Sequence, residues 1–588
     1  MKSHLDAIAI ARVVLTDGLA ILSAAVATWF AAVSAARCTR IRARRKEGMS
    51  SFCSRLLGPV GNPSMIAWLG LSGLLSLAGA CWARAVLLMI AVALGGCAVL
   101  PSQIERPASY ARLDVSDTTL ARIAAASTPA DARELSGFRL LPDGAQAFEA
   151  RLALIRRAER TIDVQYYLIA SDRTGLEFLR ELELAAARGV RVRILVDDLY
   201  ATGEDELFSE VARHERIEVR MFNPLPARTG GIVERIALSL HEFSRINRRM
   251  HNKLLIADGT YAVTGGRNIA DAYFDRSGDA NFIDVDLLAA GPVVARLAAV
   301  FDRYWNSRLA YPLGSLIGAR RAVPARQSPA AAALAAVATT APSTLDAELA
   351  SGRLVLMRAS ADVIADAPEK ADGDNAAPTV AQAHLALLGS AASRVLLASP
   401  YFVPGSAAMQ TLAGMRTRDV EISVLTNSFA TTDEPLVHLG YARHRDALLG
   451  AGVDLHELMA SSEPTGEATT SLGGSGHGRS LGRLHTKLTV IDDEQTFLGS
   501  MNMDARSADL NTEAAIVVHS AALARLAAAF VRTWQRDRSY ELRLRDEKLT
   551  WLSGKGASQR SRSVEPRPVA TPALPVRVLA TLLGESVL

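Results

Sequence analysis

Two histidines, two lysines and two asparagines recur in this chain at matched spacing, and as a set they could handle a phosphodiester. The pattern His-x-Lys-x(4)-Asp-x(6)-Gly-[Gly/Ser]-x-Asn occurs at His251, Lys253, Asp258, Gly265, Gly266 and Asn268, and again at His485, Lys487, Asp492, Gly499, Ser500 and Asn502. One copy arises easily by chance. Two copies with identical offsets point to a duplicated unit that builds one shared site. In a strand, residues two apart share a face, so each motif would present an imidazole beside an ammonium. The lysines and asparagines suit the non-bridging oxygens of a phosphodiester and the charge that builds on them during transfer. One neutral imidazole would attack phosphorus. The other, protonated, would donate to the leaving oxygen and then deprotonate the incoming water or alcohol.

His251, Lys253, Asp258, His485, Lys487 and Asp492 are therefore the candidate catalytic set. Within it, Asp258 and Asp492 sit at strand ends, where a turn-forming or salt-bridging role is the plain reading, so they rank as support rather than attack. Gly265, Gly266, Gly499 and Ser500 let backbone approach a ligand, while Asn268 and Asn502 supply amide donors. Asp284 and Glu513 follow the two motifs on strand-like segments. Either could hold a histidine in the right tautomer, and a plain surface carboxylate is the alternative for each. His and Asp at short spacing also suit a metal, but a lysine on the same face would repel a divalent ion, so no metal and no other cofactor is expected.

Positioning such a site takes two layered domains. From about Leu135 strands and helices alternate: Thr161–Ile169, Val190–Val196 and Ile217–Phe222 read as strands, Gly175–Ala187 as a helix, and Lys253–Ala257 with Tyr261–Thr264 as a hairpin. The second half repeats this order, and Tyr167 and Tyr401 are separated by the same interval as the two histidines, so whole domains are duplicated. The fold expectation is α/β, with two similar α/β sandwich domains packed face to face behind an N-terminal membrane segment. Residues 1–100 form the membrane-spanning or lipoprotein-signal region, 101–134 a linker, 135–318 the first domain, 319–380 a linker and insertion, 381–552 the second domain and 553–588 a tail. The Ser/Gly-rich stretch Ser461–Ser480 reads as a surface loop, with a lid over the site as the alternative.

Leu19–Ala36 is an uncharged apolar run followed by six basic residues, and Met65–Leu100 is apolar apart from Arg84. By the positive-inside rule the chain after residue 100 is extracytoplasmic. Arg84, the apolar block after it and Leu94-Gly95-Gly96-Cys97 also fit a bacterial lipoprotein signal with Cys97 as the lipidation candidate; a cysteine ending a transmembrane helix is the alternative. All four cysteines lie in the first hundred residues, so the rest of the chain has no thiolate nucleophile and no disulfide framework. A formal net charge of +4 in 588 residues is too small for a long basic groove, so nucleic acid is not an expected partner.

At the two motifs the chain resembles the phospholipase D superfamily, marked by a duplicated HxKxxxxD with a downstream Gly-Gly/Ser-x-Asn. Ile162–Tyr167, Ser399–Gly405 and Gly499–Ser507 are similar to the bacterial cardiolipin synthases, in particular their type C branch. The resemblance covers about Leu135 to Leu542. It implies phospholipase D-like domains and a covalent phosphohistidine intermediate. It also implies His251 as nucleophile, His485 as acid/base, and Asp284 and Glu513 as their carboxylate partners. The implied activity is phosphatidyl transfer joining phosphatidylglycerol to a second phospholipid, with phospholipid substrates and the bilayer as partners in a bacterial cell envelope. Hydrolysis to phosphatidic acid differs only in what reaches the intermediate, and a nuclease or a membrane-tethered binding module stand behind it. Oligomeric state is left open by the sequence.

Overall fold

The structure, a computed structural model, describes residues 99–112, 114–278, 280–317, 328–341, 344–460, 481–554 and 559–566. The apolar N-terminal stretches, Cys97, the loop 461–480 and the closing residues 574–588 lie outside them. Among the described residues no helix is long and apolar enough to cross a membrane.

The first half contains β1 (Ser136–Leu141), β2 (Thr161–Tyr166), β3 (Arg191–Asp197), β4 (Ile217–Phe222), β5 (Leu254–Ala257), β6 (Tyr261–Gly265), β7 (Ala280–Ile283), β8 (Asp286–Ala290) and β9 (Ala310–Pro312). Its sheet runs β1-β8-β6-β5-β2-β3-β4-β9. β2, β3 and β4 are parallel, with the helices Arg173–Ala187 and Asp205–Val211 as crossovers. The second half contains β10 (Met357–Ala365), β11 (Arg394–Ala398), β12 (Glu421–Asn427), β13 (Asp454–Leu458), β14 (Leu481–Leu484), β15 (Leu488–Ile491), β16 (Gln495–Gly499), β17 (Ala514–His519), β18 (Ser539–Arg545), β19 (Lys548–Ser553) and β20 (Arg560–Arg562). Its order, β10-β17-β16-β15-β11-β12-β13-β18, reproduces the first sheet strand for strand.

The two sheets meet edge to edge where β1 pairs antiparallel with β10, Gly137 opposite Arg358. Behind that seam the helices Pro292–Trp305 and Ala521–Arg538 share one apolar core with both sheets, taking in Phe138, Leu254 and Trp305 from the first half and Leu396, Leu488 and Val531 from the second. Each such side chain contributes about 1.5–3 kcal/mol on burial, so this shared core fixes the halves against each other. Separate cores fill the outer faces.

Three boundaries differ from the sequence expectation. Residues 319–380 are not only linker: β10 lies within them, and its small buried residues Ala359 and Ala361 fit the seam between the sheets. The helix Thr344–Ala350 inside the same stretch seats Leu345 and Leu349 in the first half's core. The 101–134 stretch is likewise docked, through Leu120 and Ile123 of the helix Thr119–Ala126 and a 2.8 Å bond from Arg193 to the Ser109 carbonyl. The tail beyond 553 continues as β20 against β19, and Glu565 accepts from Arg445. An Ala- and Pro-rich stretch followed by an acidic, Pro-interrupted one made 319–380 read as linker; in the fold, apolar burial, ion pairs and strand pairing dock these segments.

The motif aspartates belong to this scaffold. Asp258 adopts a left-handed φ of 47° after β5, and its carboxylate accepts the backbone N–H groups of Glu159, Arg160 and Thr161 at 2.9, 2.7 and 2.9 Å. Asp492, with φ 53°, does the same for Ala392, Ser393 and Arg394. Each ties the β5–β6 or β15–β16 turn to the start of the central parallel strand, at the end of the hairpin strand remote from the histidine. This geometry fits the turn-forming, supporting role that their strand-end position suggests. Asp258→Ala should therefore cost about 1–3 kcal/mol in chemical denaturation while the folded fraction keeps its activity, and Asp492→Ala, whose partner amides are exposed, should cost less. Unchanged stability with abolished turnover would return Asp258 to the chemistry.

Candidate active site

The histidines sit just before β5 and β15, where the chain has left its own sheet. Side-chain clamps at the ends of the central strands hold the preceding residues. Asp197, ending β3, accepts the Met250 N–H at 2.9 Å and the Arg249 guanidinium, while Asn427, ending β12, exchanges two 2.9 Å bonds with the backbone of Leu484. The histidine N–H groups then cross to the other half: His251 donates to the Thr512 carbonyl at 2.9 Å, and His485 donates to the Ile283 carbonyl at 2.8 Å. These carbonyls precede Glu513 and Asp284, so the two halves grip each other at the catalytic residues. Strand alternation alone did not anticipate this, since the His-x-Lys stretches pair with the opposite half.

The carboxylates follow the same exchange. His251 Nδ1 lies 3.0 and 3.1 Å from the two Glu513 oxygens, and His485 Nδ1 lies 2.8 Å from Asp284 Oδ2. With Nδ1–H given to a carboxylate, Nε2 of each ring keeps its lone pair for chemistry. Lys253 and Lys487 each donate to the carbonyl of their own motif histidine at 2.7 Å. Lys487 Nζ also lies 3.1 Å from both nitrogens of the His485 ring.

The glycines make room for protein rather than for ligand. A Cβ on Gly266 would lie 2.4 Å from Asp284 Oδ2, and one on Gly499 would lie 2.2 Å from the Ala514 carbonyl oxygen. Gly265, at φ 155°, faces Asp286 in the same way. Ser500, where the first motif has Gly266, donates its hydroxyl to Glu513 at 2.5 Å. Asn268 donates to the Tyr273 hydroxyl at 2.9 Å, and the amide oxygens of Asn268 and Asn502 are buried without a partner.

All of these groups are desolvated, and the consequences divide by sign. Burial pushes the His251 imidazole down to about 4, overriding the opposing pull of Glu513, and Lys253 and Lys487 add to the burial effect. Burial, Lys487 and Lys253 hold His485 well below the usual histidine range. Burial lifts Asp284 to about 6 against the pull of Lys487 and Arg267. Burial also raises Glu513, but the His251 contact, Lys253 and the Ser500 hydroxyl reverse it, so its carboxyl ends below the ordinary value. Lys253 is driven well down by burial and Lys487 to about 8. Both resting imidazoles are thus neutral, between two carboxylates and two lysines.

Several residues outside the motifs complete the site. The Tyr167 ring meets His251 edge-on at 5.0 Å and lies 5.2 Å from Lys253 Nζ. Tyr273 and Phe282 pack on His485 at 5.1 and 5.0 Å. Asp366, from the stretch expected to be linker, accepts the Glu513 N–H at 2.9 Å and pairs with Lys370 at 2.8 Å. The matched spacing of Tyr167 with Tyr401 carries a signal for the first of these; no short pattern marks Asp366.

A family model described as "Cardiolipin synthase, PLD-like domain" matches residues 152–305 and 385–534, one stretch in each half. The chain is similar to Cardiolipin synthase C of Escherichia coli, 38% identical over 69% of this chain and 86% of that protein. It is 33% identical to a Helicobacter pylori protein over 66% of this chain and 76% of that one. With Cardiolipin synthase 2 of Staphylococcus epidermidis it shares 26% identity over 66% of each chain.

The charge states set a pH window. Neutral His251 requires pH above about 4, ionised Asp284 requires pH above about 6, and charged Lys487 requires pH below about 8. Since kcat/KM reports groups of the free enzyme, its profile should be a bell with limbs near 6 and 8. A profile flat up to the ordinary lysine range would contradict the buried, lysine-dependent site.

Proposed function

Because the chain belongs to the cardiolipin synthase family of phospholipase D-like proteins, we propose that it transfers a phosphatidyl group between phospholipids and makes cardiolipin from phosphatidylglycerol and a second phospholipid. The observation that carries the chemistry is the crossed arrangement in which each imidazole takes its carboxylate from the opposite half.

His251 is the nucleophile. Glu513 holds the proton on Nδ1, so Nε2 attacks phosphorus and the bond from phosphorus to the headgroup alkoxide breaks. The phosphodiester anion settles between Lys253 and Lys487, which neutralise the charge on its non-bridging oxygens. Burial, Lys487 and Lys253 keep His485 neutral at rest, and that same negative charge offsets the two lysines, raising His485 to the protonated form that delivers a proton to the leaving alkoxide. The phosphatidyl group is then a phosphohistidine on His251. His485, neutral again and oriented by Asp284, takes the proton of an incoming headgroup hydroxyl, whose oxygen attacks phosphorus and releases His251. The apolar stretches Leu19–Ala36 and Met65–Leu100, or a lipid on Cys97, hold this catalytic part at the extracytoplasmic side of a bacterial membrane.

Purified full-length protein given phosphatidylglycerol, with and without phosphatidylethanolamine, should yield cardiolipin with glycerol or ethanolamine as co-product by mass spectrometry. Phosphatidic acid as sole product would replace transfer by hydrolysis. His251→Ala and His485→Ala should each lower turnover by about a thousandfold or more with the fold intact. An acid quench of wild-type turnover should trap the phosphatidyl adduct on His251; an adduct on His485 would reverse the two roles.

A further inference from the structure

Four exposed apolar side chains follow the strand ends that lead into the site. The chain between β4 and His251 forms the helix Ile232–Leu238 and the short turns through Ile246. In a helix on a water-facing surface, charges point out and apolar residues point in. Here Arg235 is 3% exposed and paired with Asp205 at 3.0 Å, whereas Ile232 and Leu238 are 39% and 38% exposed. Phe243 follows at 52% and Tyr200, on the loop after β3, at 47%.

Tyr200 reaches the chemistry through one intervening ring. The Tyr200 ring meets Tyr167 edge-on at 5.0 Å, and Tyr167 in turn meets His251 at the same distance. The segment's far end is bound to the site as well, because Arg506, just beyond Asn502, donates to the Asn247 carbonyl at 2.9 Å and to its side chain at 3.0 Å. Tyr200 and the segment both follow the carboxyl ends of the parallel strands, on the side of the sheet where the histidines lie. Residues 228–249 include five arginines against two glutamates. Arg248 bonds to the Ser244 carbonyl and hydroxyl and has no carboxylate partner among the described residues.

We propose that Tyr200, Ile232, Leu238 and Phe243 insert into the surface of a bilayer containing anionic phospholipid, with Arg248 at headgroup level, so that the site opens directly onto its lipid substrates. Apolar side chains fixed outward by a buried charge pair, beside an unpaired arginine, match the chemistry of an anionic interface. The proposal rests on the phosphatidyl transfer reading for its substrate, but insertion can be measured separately.

Full-length protein carrying Ile232→Asp and Phe243→Asp together should turn over long-chain phosphatidylglycerol in vesicles about tenfold more slowly or worse. On short-chain phosphatidylglycerol dissolved below its micelle concentration, its rate should stay within about twofold of wild type. Unchanged vesicle turnover, or equal losses on both substrates, would overturn the docking role. A readout independent of activity uses tryptophan quenching by vesicles of brominated-chain phosphatidylglycerol, relative to the native tryptophans. Phe243→Trp should gain a quenched component. Leu544→Trp, on β18 toward the start of β13 and thus at the opposite end of the sheet, should not. Equal quenching at both positions, or none at 243, would also overturn it. Wild-type protein inert on every lipid but quenched at 243 would sink the transfer reading and leave the docking surface standing.

Discussion

Each catalytic imidazole depends on a carboxylate from the other half, and the rest of the structure follows from that exchange. A half folded alone would present a histidine and a lysine with no acceptor for the ring Nδ1–H and no carbonyl for the histidine N–H. An unpaired buried polar group costs about 1–3 kcal/mol, so two such losses in each half would leave the site unformed. The seam between β1 and β10 and the shared core behind it make the exchange permanent by holding both halves in one rigid register.

The burial that this packing imposes also sets the chemistry. Water is excluded from two lysines, two histidines and two carboxylates, and that burial, reinforced by the lysines, holds both imidazoles neutral. A site so poised lacks a ready acid until an anion arrives, so the phosphodiester itself completes the protonation pattern that its cleavage requires. The halves are similar but not equivalent. Ser500 stabilises the charge on Glu513, while Gly266 leaves Asp284 without a hydroxyl donor and closer to protonation. That difference gives the two histidines different partners from one duplicated motif.

Much of this was legible in the residues. The matched offsets located both histidines, both lysines and the duplication, and strand alternation placed β2, β3, β4, β5 and β6 to within a few residues. Asp284 and Glu513 were recognisable as carboxylates in range, but no linear pattern tells which histidine each one meets, because the pairing crosses between halves that are far apart in sequence. Asp258 and Asp492 show the converse, since they share the catalytic motif but already read as turn-forming support. Their fixed spacing comes from a turn that must accept three backbone N–H groups, a structural demand that leaves the same imprint as catalysis. Asp366 and β10 were hidden because an acidic, proline-interrupted stretch resembles a linker until Lys370 and the Glu513 amide are seen to satisfy it.

The crossed pairing is most directly tested by long-range proton–nitrogen spectra of protein labelled at histidine nitrogens. Glu513→Gln should change the tautomer and titration of His251 and leave His485 nearly untouched, and Asp284→Asn should do the reverse. Each variant disturbing instead the histidine of its own half would contradict the exchange on which this account of the site is built.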